Sequence, residues 1–554
     1  MSSKFDFTED RPTLAARPNK RPIVPGALPS IEEKDGEVDV TARSTDEQSS
    51  SSGSPTESSD TNDYWKARSM TTPLSGDREE QREVVLDKFG FPLLPQPLDD
   101  PRDPLTWSRI AKIKILIQIS LMSFLSLFTA YTISPAIWPL SKYLKVPLVE
   151  TTYVVGIFSL FLGVSPFFWN PLSHALGRRP IYIAGLVGST ATALICGLSR
   201  NYALLMTFRA LNGFFAGASL GLGTVVCCDI FYQHQRGLYI GFYMVTHMTG
   251  ANLAPTIGGF IYRRISWHWT FYVPAIVASL LLALTIFALP ETLYSRSVES
   301  LRRPQMTEYQ KEWLRKKRHD SRRIQLVKFT RQFKMLRYPS ILLPTVFYSV
   351  ASGYGNMIFF VSSAILFHKV YNFRTWQVGL LLGVPLTLGS FIGEAGAGGF
   401  SDWVIRWKAK RRDGKRVAED RLYAMLPGVV LLPLGLIVEA NCLHNKTHWM
   451  GPGLGIAVAA AGLQIVTTVT YAYTADCYPR QAGETASILN FGRQIFCFFV
   501  GFYAIRFAWR YGLQTSWIVF AVVESSCFIP MLALIWKGRE WREIFEEPDW
   551  NLDL

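Results

Sequence analysis

Glu394 is the residue of this chain with the most chemistry to offer. It stands in Gly393-Glu394-Ala395-Gly396, in the middle of an apolar run long enough to cross a bilayer. An ionisable group at that depth costs roughly 2.5–3.5 kcal/mol even on the mild insertion scale, so it marks a functional site by default. Desolvation disfavours the charged form of a carboxylate so placed, which is the condition for taking up and releasing a proton near neutral pH. The small neighbours leave room for a cavity, and the competing reading is a static acid that only holds helices together. Arg209, Asp229, Glu439, Asp476, Arg493 and Glu524 also fall within or at the ends of apolar runs. Arg209 can orient a proton relay, bind an anionic group, or snorkel to an interface. Asp229 is a further proton-coupling candidate, whereas Asp476 and Arg493 read as gate or interfacial pairs near the ends of their runs.

Polar and aromatic residues within the runs are the candidates for solute contact. They are Tyr131, His247, Asn252, Tyr354, Asn356, Gln464 and Tyr473, with Thr246 and Thr249 beside His247. Aromatic faces there can stack on a flat or cationic solute. His444 and His448, four apart, would face one metal only if helical, and they read instead as two solvated loop histidines; the seven cysteines show neither a redox nor a zinc pattern. No metal or cofactor is expected. Gly217-Ala218-Ser219-Leu220-Gly221 matches a nucleophile-elbow pattern, but that motif needs a strand-to-helix turn. Here Gly213, Gly217 and Gly221 are spaced four apart in one apolar run, a stripe that lets helices approach closely. No enzyme constellation remains.

These residues must be positioned by membrane-spanning helices, because a bilayer core demands about 20 mostly apolar residues per helix. Twelve such stretches are present, at about 111–134, 149–170, 180–198, 202–228, 237–262 and 268–289, then 341–367, 377–400, 422–441, 451–474, 485–508 and 514–536. The expected class is an all-α membrane protein with twelve transmembrane helices in two six-helix halves. The domain boundaries read as a cytoplasmic leader at 1–105, halves at 106–293 and 341–540, a basic loop at 294–340 and a tail at 541–554. The leader is rich in Ser, Pro, Asp and Glu, and it is expected to be disordered. It has no apolar h-region, so no cleavable signal peptide is expected.

The net charge of +14 invites a nucleic-acid reading. The basic residues instead cluster in the loops after spans 6 and 8, which is a topology signal. By the positive-inside rule both termini and these loops are cytoplasmic. Asn445-Lys446-Thr447, a glycosylation sequon, then falls outside. The loop at 294–340, with Trp313 and Phe329 among its cations, suits short amphipathic helices against anionic lipid.

Asn170-Pro171-Leu172-Ser173-His174-Ala175-Leu176-Gly177-Arg178-Arg179-Pro180 resembles the loop signature of the major facilitator superfamily, with its core at Gly177, Arg178 and Arg179. Arg209 followed by Gly213 resembles the span-4 element. Gly250 through Gly259, with Pro255 and Gly258, resembles the span-5 signature of proton-coupled antiporters. Pro290-Glu291-Thr292, Asp476-Cys477-Tyr478-Pro479, Glu484 and Arg493-Gln494 are similar to the fungal drug/proton antiporter branch, with the polyamine and cation transporter-like group nearest. Phe400-Ser401-Asp402 echoes Leu172-Ser173-His174 at the same place in the second half, as the superfamily's duplication implies. The chain departs from the family at His174, where an acid is usual, at Ala175, where a base is usual, and at Ala254, where the antiporter signature has Gly. Arg178 is expected to pair with Asp229 in compensation.

The resemblance implies a substrate site near the midplane between the halves and a span 5 that lines it. It implies proton-coupled efflux of a small organic compound, a drug or secondary metabolite, by alternating access. A proton-coupled importer of a nutrient or polyamine and a transport-like membrane sensor remain open. The partners expected are a small-molecule substrate, protons and membrane lipids, without nucleic acid. A monomer in the plasma membrane is expected.

Overall fold

The computed structural model describes residues 103–294, 327–411, 417–478 and 481–545. Residues 1–102 of the expected leader and 546–554 of the tail lie outside these residues, as do Trp313 and most of the basic loop. Asp103, by contrast, caps a buried turn at Pro104–Thr106 and the last helix runs on to Ile544, so the ordered chain exceeds the expected bounds at both ends. The described chain is helical throughout, as a spanning chain must be when every backbone N–H and C=O has to be satisfied within its own segment.

Twelve long helices follow in order. They are α1 (Arg109–Tyr131), α2 (Leu148–Leu176), α3 (Arg178–Leu198), α4 (Tyr202–Ile230), α5 (Gln233–Arg264) and α6 (Trp269–Ala288). The second half holds α7 (Pro339–Tyr371), α8 (Thr375–Lys410), α9 (Leu426–His444), α10 (Met450–Cys477), α11 (Ala482–Tyr511) and α12 (Leu513–Ile544). Eleven are long and apolar enough to cross a membrane. The twelfth, α5, has 32 residues, but Thr246, His247, Thr249, Asn252 and Thr256 interrupt its apolar run.

Two departures from the expected spans have local causes. A π-turn at Gly353–Met357 interrupts α7, a defect frequent at functional sites. Helix α8 runs to Lys410 instead of ending near residue 400. Phe400, Trp403 and Trp407 stack along one face of that extension, and Arg411 caps the ladder 3.8 Å above the Trp407 ring. Side chains three and four apart support one another on a helix surface. The described end of the basic loop is a helix, Val327–Lys334, whose Phe333 stacks on Phe167 of α2 at 4.4 Å.

Small residues set the packing. Gly213, Gly217 and Gly221 bring α4 onto Phe158, Ser165 and Asn170 of α2 so closely that no Cβ fits without displacement. In the second half Gly389 and Gly393 of α8 meet the Ala457 and Ala461 carbonyls of α10 in the same way.

The end of the bundle that carries the basic loops is latched twice, at matching places in the two halves. Arg178, at the start of α3, pairs with Asp229 at the end of α4 (3.3 Å). Arg421, just before α9, pairs with Asp476 at the end of α10 (2.9 Å). Asp476 thus finds Arg421 and not Arg493. The acid missing at His174 is supplied from elsewhere in the fold. Glu291 accepts from the Arg178 amide at 2.8 Å and the Arg179 amide at 3.2 Å, capping α3. A carboxylate there satisfies orphan N–H groups and meets the positive end of the helix dipole. Gly177 makes the approach possible: its φ of 105° is a conformation side chains disfavour, and a Cβ would strike the Glu291 carboxylate. The side chain of Asp402 lies outside the described residues.

Candidate functional site

A small cleft of about 10 Å³, room for about one water molecule, lies where the middles of five helices meet. Met248 and Asn252 reach it from α5, Ser352 and Asn356 from α7, Gln464 from α10 and Arg493 from α11. Residues of both halves therefore share it, at the depth where each helix is farthest from its ends. Three of the expected solute contacts, Asn252, Asn356 and Gln464, are brought together here. The π-turn of α7 places Gly355 and Asn356 on its wall.

Glu394 lies directly behind this wall. Its Oε2 accepts from Gln464 Nε2 at 2.8 Å and from Thr468 Oγ1. Gln464 both lines the cavity and donates to the acid, so it joins the two. Gln464 and Thr468 are four apart on α10, a spacing that puts them on one helix face. Gln464 was a candidate in the sequence, whereas Thr468 is one of four threonines between 467 and 474 that nothing in the sequence singles out. Glu394 is half-buried.

Arg493 is a correction. It sits mid-way along α11 and lines the cavity, not near the basic end as a gate residue. The span boundary read from hydropathy was blurred because α11 begins with the polar turn Ala482-Gly483-Glu484-Thr485.

Other candidates are placed elsewhere. Tyr131 stacks on Phe360 at 3.9 Å, joining α1 to α7 across the halves. Tyr354 accepts a hydrogen bond from Tyr503 at 2.9 Å and stacks on Phe520, inside the second half. Tyr473 is fully buried and does not line the cavity. His247 is 1% exposed and faces α1, its Nδ1 2.9 Å from Ser123 Oγ. Arg209 is fully buried; its guanidinium donates to the Val154, Thr129 and Ala130 carbonyls and lies over the Phe158 and Phe271 rings. The structure does not bring it to Glu394. Asp229 is held by Arg178 at the basic end. Asn445 is exposed in the loop after α9.

The halves touch closely beyond the cavity, away from the basic end. Gly379 of α8 packs on the Pro255 carbonyl of α5, Gly259 packs on Trp376, and Thr256 Oγ1 donates to the Gly379 carbonyl at 3.1 Å. Gly250 and Gly258, the other motif glycines, face the Phe124 and Thr132 carbonyls of α1. The span-5 motif is thus a two-sided contact strip, with Gly250 and Gly258 toward α1 and Pro255 and Gly259 toward α8. Toward the basic end the α5–α8 pairing lapses. Among the described residues its last hydrogen bond is Asn252 Nδ2 to Ser390 Oγ, at 2.8 Å, and Gly241 and Gly398 have nothing within 4 Å of where a Cβ would stand. Helices α2 and α11 stay joined at both ends, through Asn170 to Ser487 at 2.9 Å and Arg506 to Tyr153 at 3.1 Å.

Gly379→Val should therefore block closure of the far end. A branched side chain cannot fit against a carbonyl already in contact with the glycine. Normal membrane insertion with strongly reduced flux is expected, together with faster labelling of a cysteine placed at Ser352 by a thiol reagent added from the far side. Unchanged flux and labelling would remove α5–α8 contact from the cycle.

Comparison with known proteins agrees with this geometry. Residues 119–536 match the family model described as Major Facilitator Superfamily. The probable drug/proton antiporter YHK8 of Saccharomyces cerevisiae is 26% identical over 413 residues, 70% of this chain and 75% of that protein. The efflux pump radE of Floropilus chiversii is 26% identical over 504 residues, 90% of each. Among solved structures, a bacterial homologue of the human lysosomal transporter Spinster, inward-facing and unoccupied, aligns with a TM-score of 0.53 at 14% identity. It spans 80% of this chain and all of that one.

Proposed function

Because this chain belongs to the major facilitator superfamily, we propose that it exports a small organic compound, a drug or secondary metabolite, in exchange for protons. The chain is a multi-pass membrane transporter; substrate, direction and coupling are the parts proposed. The observation that carries the reading is the link from cavity to acid, in which Gln464 lines the first and donates to the second. A solute that moves Gln464 changes what holds Glu394, and protonation of Glu394 removes the charge that Gln464 serves. That reciprocity is what exchange requires. The relatives named as an antiporter and an efflux pump support the export direction.

With the basic end cytoplasmic, α5 and α8 part on the inner side while α2 and α11 stay joined there through Asn170 and Ser487, and loading from inside would need that second contact to open. We place the protein in the plasma membrane, as a monomer with both termini cytoplasmic. Glycosylation at Asn445 would fit that orientation, whereas protease-accessible leader residues outside sealed cells would overturn it.

Export is tested in cells and in inside-out vesicles. Expression should lower the accumulation of lipophilic dyes. In vesicles an acidified lumen should drive dye uptake that a protonophore abolishes. Raised cellular accumulation would point to import of a nutrient or polyamine. A chain lacking residues 1–95 should keep its flux; signalling without flux would mark a sensor.

A further inference from the structure

We propose that Arg493 is the docking point for an anionic group on the solute, a carboxylate, so that the transported compounds are organic acids. The proposal deepens the export reading only in taking the central cavity as the solute site.

The argument starts from how this guanidinium is satisfied. Arg493 is 6% exposed and lines the cavity. Its Nη2 donates to Asn490 Oδ1 at 2.8 Å, while its buried Nε meets no acceptor among the described residues. Among those residues the ion pairs lie elsewhere, and none reaches Arg493. The two other deeply buried arginines are treated differently. Arg209 reaches three carbonyls, and Arg178 has Asp229 and Ser173. A buried charge without an opposite charge is strongly unfavourable, and the planar fork of arginine fits a carboxylate through two parallel hydrogen bonds.

The rest of the cavity says what else such a solute carries. Glu394 has Oε2 committed to Gln464 and Thr468. Ser352 Oγ and Asn356 Oδ1, both lining the cavity, are buried without a partner among the described residues. They offer an acceptor and a hydroxyl to a hydrogen-bond donor on the solute. Met248, Leu386 and Leu463 supply apolar contact. The chemistry recognised is a compact apolar body with one carboxylate and one hydroxyl or amide N–H. Inorganic anions share the charge but lack the apolar body.

The test uses the purified full-length protein and the matched pair 1-naphthoate and 1-naphthamide, with inorganic phosphate and tetraphenylphosphonium as further probes. Binding is read by tryptophan fluorescence, separately from flux in proteoliposomes. Naphthoate should bind saturably and the amide about 10- to 100-fold more weakly, the range set by one charge-assisted hydrogen-bond pair. Arg493→Gln should erase that difference. Arg493→Lys should restore part of it, since a point charge replaces the fork. Asn490→Asp is the variant that guards against misfolding. It keeps the guanidinium satisfied, by an internal carboxylate, and should weaken naphthoate by a similar factor while leaving the amide unchanged.

Equal binding of acid and amide by the native protein would overturn the proposal. So would a naphthoate preference that survives Arg493→Gln, a preference for the phosphonium cation, or binding of phosphate as tight as naphthoate. The absence of saturable naphthoate binding up to millimolar concentration would overturn it too. Naphthoate binding without flux would sink the export reading and leave the anion site standing. Dye export without carboxylate binding would do the reverse.

Discussion

Glu394→Gln should remove gradient-driven accumulation, to the level of liposomes without protein, while gradient-free solute exchange continues. The structure explains why this substitution is clean. Both hydrogen bonds to Glu394 are donated to one oxygen, from Gln464 and Thr468, and the amide oxygen of glutamine accepts the same two. The substitution keeps volume and partners, so α8 and α10 hold their places. A driving gradient acts only through a group that takes up and releases a proton, and an amide does neither. Proteoliposome uptake with and without an imposed pH gradient, beside an exchange assay, measures the two arms. If Glu394 is only a static fastener, the variant should instead lose stability while its residual transport still follows pH. Undiminished gradient-driven accumulation would move the search for the proton carrier to Asp229, Glu524 and His247.

Arg209→Leu is expected to be the most damaging single change in the first half, and its damage should appear as lost stability. Three backbone carbonyls, of Val154, Thr129 and Ala130, lose their donor together. The Val154 carbonyl keeps its bond within α2, but Thr129 and Ala130 stand in the last turn of α1 and each buried acceptor left unmade costs about 1–3 kcal/mol, so a loss of about 2–6 kcal/mol is expected. The Phe158 and Phe271 faces lose their cation as well. Arg209→Lys should recover only part of this, because a point charge cannot span three carbonyls on two helices. Thermal unfolding in detergent measures both variants. An Arg209→Leu protein that melts like the native one yet transports nothing would return Arg209 to the coupling machinery.

The two arginines show what a chain read one span at a time can and cannot reveal. Both stand out in sequence as charges in apolar runs, and sequence reasoning favoured Arg209 for chemistry and Arg493 for a gate. The assignments exchange once partners are visible. Arg209 is used up by carbonyls of α1 and α2, and Arg493 is left facing a cavity. Arg209 takes its partners from helices distant in the chain, whereas Arg493 has Asn490 of its own helix and a cleft whose other walls come from distant helices. The same holds for the tyrosines. Tyr131, Tyr354 and Tyr473 have the right chemistry for solute contact, yet their rings face a half-to-half junction or a helix interior.

Glu291 shows the other side of this. The loop signature lost its acid at His174, and in sequence that is a defect. In the fold the end of α6 returns to the start of α3, and Glu291 caps it.

The twelve helices were legible in the sequence for a physical reason, and the family and its two halves through the resemblance of its motifs. In a bilayer every backbone group must be satisfied within its own segment, so length and apolarity settle the elements before any tertiary contact forms. Glu394 was legible for the same reason, since a charge in hydrocarbon declares itself. Which side chains meet at the cleft, which buried charge has no ion pair among the described residues and where α5 and α8 part were decided only by tertiary structure. Those are relations between helices, set by glycine-scale approaches such as Gly379 against Pro255, and no periodicity within one helix encodes its neighbour.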